Sequence, residues 1–143
     1  MKTSLSLILF GTFMLTACND DAITHVYHKE ITKTPLTCMK LNVFPKDKQI
    51  SDILKKQYTF SQTCAYSLDV SYKSDIKCNS SYNADRKALS HFPTSYLKME
   101  LRKGLSVQYS YYIDLDHKAN RDDLIEGFHH LQSDLILKKE TSH

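Results

Sequence analysis

At 143 residues, 24% of them charged and a formal charge of only +3, the chain suits one ordinary domain and is too evenly charged for a nucleic-acid footprint. Its three glycines exclude glycine-dependent phosphate chemistry. Gly11 lies in an N-terminal apolar run, while Gly104 and Gly127 fall in a turn and a helix pattern, so no phosphate loop, dinucleotide fingerprint or Gly-x-Ser-x-Gly elbow is present.

Lys2 is the only charge before Asp20, and Leu5 to Ala17 (LSLILFGTFMLTA) is almost all apolar or small. A basic start, an apolar run of this length and small residues at its end predict a secretory signal peptide over 1–17. A membrane-spanning helix needs about 20 apolar residues, more than this run supplies.

At the expected cut, Leu15-Thr16-Ala17-Cys18 resembles the lipobox of bacterial lipoproteins, with Leu at −3, small residues at −2 and −1, and Cys at +1. The resemblance implies that the Cys18 thiol carries diacylglycerol, that the leader is cleaved before it, and that the new amine is acylated, with palmitate as a typical chain. Acyl burial contributes roughly 0.8 kcal/mol per CH₂, and more than one chain gives stable anchoring. In enteric lipoproteins Asp directly after the Cys favours inner-membrane retention. Asn19 in that place, with Asp20 one further on, favours the outer membrane facing the periplasm. The resemblance covers only this N-terminal stretch.

Without the leader, 126 residues remain, with 18 basic and 16 acidic side chains. Residues 19–35 have weak periodicity and end at Pro35, so 18–35 is read as the lipidated Cys and a tether, 36–139 as a single domain, and 140–143 as a tail. From Leu36, Met39, Leu41 and Val43 alternate with Lys40 and Asn42 as in a half-buried strand, ended by Pro45. A short helix follows around Ser51, with Ile50, Ile53, Leu54 and Tyr58 on one face. Tyr66, Leu68, Val70 and Tyr72 mark a second strand, and Asn83 caps a helix lined by Ala84, Ala88, Leu89 and Phe92.

Apolar residues at odd positions from Leu97 to Ile113 predict a hairpin. A three-residue loop, Arg102-Lys103-Gly104, sets Leu101 against Leu105, Met99 against Val107 and Leu97 against Tyr109, with Gly104 in the left-handed place. The last helix is capped by Asn120, with Leu124, Phe128, Leu131 and Leu135 as its buried stripe. Gly127 inside that helix suggests close approach to a strand. The order predicts a small α+β domain, a mainly antiparallel sheet of about four strands with helices packed on one face.

Export favours disulfides. With Cys18 lipidated, Cys38, Cys64 and Cys78 permit one intramolecular bond and one leftover thiol, which is either buried, the favoured reading, or paired with another chain. Antiparallel first strands bring Cys38 to Cys78, the favoured pairing, whereas a parallel crossover brings Cys38 to Cys64. Cys64 with Cys78 requires the strand to fold back, since a straight strand holds them roughly 46 Å apart.

His25 and His28, and His129 and His130, are spaced so that two could share a metal, but two ligands do not close a tetrahedral site. The expectation is solvated histidine, and no cofactor is implied. Cys-x-x-Cys is absent, which argues against a thioredoxin-type site. Nine tyrosines and no tryptophan are the compositional oddity. Strand preference accounts for them, and it also places Tyr96, Gln108 and Tyr112, with Ser106 and Ser110, on a possible outer binding face. Asp114 and Asp116 have no acid, base or metal partner in sequence, so no catalytic residue is named.

Together these features predict a membrane-anchored envelope lipoprotein, non-enzymatic, binding an envelope protein as an accessory to secretion or surface-complex assembly, or as an inhibitor or immunity factor. The alternative is a periplasmic metal-binding lipoprotein with histidine ligands.

Overall fold

The computed structural model describes residues 22–77 and 93–137. Cys18, the expected leader, Cys78, the helix expected from Asn83, and Lys138 onward lie outside the described residues. Within them the chain forms β1 (Ile23–Val26), a 3₁₀ turn (Lys29–Thr32), β2 (Lys40–Phe44), α1 (Lys48–Lys55), β3 (Tyr66–Lys73), β4 (Ser95–Lys103), β5 (Ser106–Leu115) and α2 (Arg121–Asp134). Five strands make one sheet, ordered β1-β5-β4-β3-β2, antiparallel except for β2 with β3. The fold is α+β, with both helices packed against the sheet.

Alternation builds the core. Leu68 and Val70 from β3, Leu97, Met99 and Leu101 from β4, and Tyr109 and Tyr111 from β5 are fully buried beneath Leu54, Leu124, Phe128 and Leu131 of the helices. The α2 stripe is the expected one, and Asn120 forms a capping box with Asp123. Gly127 lets α2 approach the sheet: a β-carbon there would lie 2.8 Å from Cε1 of Tyr111. Helix α1 begins at Lys48 because Asp47 caps it, accepting from the amides of Gln49 and Ile50. Chiefly through the Ile50 amide, this holds the Asp47 carboxyl below its ordinary range, and its other oxygen takes the Tyr72 hydroxyl of β3 at 3.1 Å.

Three expectations are corrected. The segment read as tether is folded from Ile23 onward: β1 pairs with β5, and Ile31 of the 3₁₀ turn joins the core. The ITHV strand lies at the sheet edge with three of its four residues exposed, so no burial alternation marks it. Its end of the fold is tied down by the Leu36 amide, which donates to the Ile136 carbonyl at 2.7 Å.

The hairpin register also differs. The turn has two residues, Gly104 and Leu105, with Lys103 paired to Ser106 and Arg102 to Val107. Gly104 takes φ +60° at the first turn position, the place a type II′ turn assigns to glycine. Continued unbroken, that register would set polar against apolar. A bulge at Gln108 inserts one residue, after which Leu101 faces Tyr109, Met99 faces Tyr111 and Leu97 faces Ile113. The bulge, not the loop, matches the apolar sides.

The third correction is the disulfide. Because α1 makes a parallel crossover, the starts of β2 and β3 lie side by side, and Cys38 and Cys64 each stand two residues before their strand. They are joined, with 5.8 Å between Cα atoms, which overturns the favoured Cys38–Cys78 pairing.

Candidate functional site

Opposite the helices, the sheet presents a face that no described helix covers. Strand pairing sorts it into rows. One runs Asn42, Asp69, Glu100, Ser110, His25, and the next runs Phe44, Ser71, Lys98, Tyr112, Ile23. A third carries Lys73, Tyr96 and Asp114.

The middle of this face is a connected polar network. Glu100 takes the Arg102 guanidinium at 2.6 Å on one oxygen and the Lys98 ammonium at 3.0 Å on the other. Arg102 also reaches Asp69 at 3.5 Å, and Asp69 accepts from the Asn42 amide at 2.7 Å. The alternation Lys98, Glu100, Arg102 on one strand puts opposite charges two residues apart on one side. Burial pushes the Glu100 carboxyl up, but hydrogen bonds from Arg102 and Lys98 outweigh it and hold the group below its ordinary range. A single exposed ion pair contributes little, whereas a network shares the cost of fixing its side chains.

Beside the network Tyr96 and Tyr112 stack at 5.8 Å between ring centroids. The Tyr112 hydroxyl donates to Asp114 at 2.6 Å, a bond that, with some burial, pushes its pKa up to about 12. Of the three residues expected on one outer face, these two lie on the open face of the sheet. Gln108 does not. The bulge turns it inward, where it is buried, donates to the carbonyl and hydroxyl of Ser106, and lines a cleft of about 430 Å³ with Ile31, Tyr66, Leu101 and Leu135. The sequence reading assumed unbroken alternation through the position where the strand gains a residue.

The histidines are dispersed. His25 is exposed and stacks edge-on against Tyr27, and His28 lies 3.3 Å from the Ser106 hydroxyl. His129 is exposed, while His130 is half-buried with its ring 5.3 Å from that of Tyr111. Among the described residues, no three of His, Cys, Asp and Glu converge to hold a metal. His117 is the strongly engaged one, 2.7 Å from Asp116 and 3.1 Å from Asp123, and the bond to Asp116 above all raises its pKa. No spacing in the sequence announced this link between the β5 end and the α2 cap.

Fixed hydrogen-bonding groups thus lie beside a stacked aromatic pair on this face. The chain matches no family model, no curated protein and no solved structure.

Proposed function

We propose that this protein is a membrane-anchored lipoprotein of the bacterial envelope that binds a protein partner through the open face of its sheet and carries out no catalysis itself. The observation that carries the reading is Leu15-Thr16-Ala17-Cys18 at the end of an apolar leader. Support comes from the Cys38–Cys64 disulfide, which suits an oxidising compartment, and from the network around Glu100 beside the stacked tyrosines. The anchor holds that face near the membrane and raises its effective concentration for a partner there. Outer-membrane placement follows from Asn19.

Crosslinking in intact cells tests this, with capture of the tagged wild type, Cys18→Ser and Tyr112→Ala. One defined envelope protein recovered with the wild type, and depleted in both variants, is the expected result. Equal recovery with all three forms refutes the assignment of anchor and face.

A further inference from the structure

The corrected boundary changes what the anchor does. Cys18 and Ile23 are five residues apart, a span of at most roughly 18 Å when extended. All five strands have one end there: Ile23 starts β1, Phe44 ends β2, Lys73 ends β3, Ser95 starts β4 and Leu115 ends β5. The hairpin tip is at the opposite pole, with Leu105 seven residues from Tyr112 along β5, roughly 23 Å at 3.3 Å per residue.

Among the described residues, the pole near the anchor carries large exposed apolar side chains: Ile23 is 65% exposed and Phe44 53%. Phe44 opens onto a groove of about 540 Å³, walled by Pro45, Tyr72 and Tyr96 and flanked by Lys73, Lys118 and Asp75. Aromatic rings with polar tips suit the headgroup layer of a bilayer, and lysines beside them suit lipid phosphates.

We propose that this pole is a membrane-contact surface, with Ile23, Phe44 and Tyr96 at headgroup level and Lys73 and Lys118 on lipid phosphates. It rests on the lipid anchor at Cys18. The strands then stand away from the bilayer, the row of Phe44, Tyr112 and Ile23 marks the lower border of the open face, and the hairpin tip points outward. The partner of that face is accordingly one that lies at the same membrane surface.

The test uses lipidated protein purified from cells, in vesicles of phosphatidylethanolamine and phosphatidylglycerol containing a lipid with a headgroup diazirine. A headgroup layer is only about 6 Å deep, so labelling at Phe44 and Tyr96 is expected to exceed that at Leu105 about tenfold. A second form carries about twelve Gly-Ser residues inserted after Asn19, which frees the domain to rotate. Labelling that keeps its preference for the pole in this form supports an intrinsic surface. Even labelling in the parent protein, or loss of the preference in the lengthened form, overturns it. The mass of the N-terminal peptide reports separately on Cys18: without lipid there, the anchor reading fails and takes this one with it.

Discussion

Gly127→Ala separates helix propensity from tertiary packing by the sign of its effect. In an exposed helix interior, alanine in place of glycine stabilises by about 1 kcal/mol. At Gly127 the new carbon would lie 2.8 Å from Cε1 and 3.2 Å from Cδ1 of Tyr111, and 3.2 Å from Cε of Met99. Favourable carbon contacts begin near 3.5 Å, so the ring must retreat by roughly 0.7 Å. The Met99 tip can swing aside. Tyr111 is fully buried with its ring against His130, so its retreat displaces packed neighbours. Such overpacking costs about 1–3 kcal/mol, so after the propensity gain the expected net loss is about 1 kcal/mol. Urea unfolding of oxidised Cys18→Ser protein, followed by far-ultraviolet circular dichroism, measures it as a lower midpoint at unchanged slope. In a Tyr111→Leu background the obstructing ring atoms are gone, and the same substitution should turn neutral or stabilising. A Gly127→Ala protein as stable as its parent, or more so, refutes the close-approach reasoning.

Three further outcomes are expected. Replacing Cys38 and Cys64 by serine opens a loop of sequence separation 26, and the chain-entropy relation puts the loss at about 3.5 kcal/mol, read as a fall in Tm that reductant reproduces in the wild type. Tyr109→Phe removes the 2.9 Å bond from the buried phenol to Asp134 and should lower the unfolding free energy by about 1 kcal/mol in the same urea assay. His117 has its folded pKa raised above the ordinary 6.5 by Asp116 and Asp123, so its stabilisation is complete below about pH 6 and disappears as pH rises through the folded value. Urea midpoints at about pH 5.5 and 8.5 should show the wild type losing its advantage over His117→Gln at the higher pH; a constant difference would contradict the assigned contacts.

The open face was only partly legible beforehand. Tyr96 and Tyr112 could be placed on it because each follows the two-residue period of its own strand. Lys98, Glu100 and Arg102 were equally visible as a polar side, but their links to Asp69 and Asn42 depend on which strands are neighbours. Gln108 was misplaced because a bulge is a property of two strands in register, and the residues of one strand do not announce it. The His117 contacts join the end of a strand to the cap of a helix, and they arise only when the chain turns between the two.

What the sequence by itself determined is local. The alternating strands, the Asn120 cap, the α2 stripe and the need for glycine at 104 and 127 follow from side-chain period and backbone freedom within a few residues. Tertiary structure alone decided that ITHV is an edge strand, that β2 and β3 run parallel, and hence that Cys38 bonds Cys64. Those outcomes depend on contacts between segments far apart in the chain. Their free energy comes from shared burial and pairing, which no single segment carries.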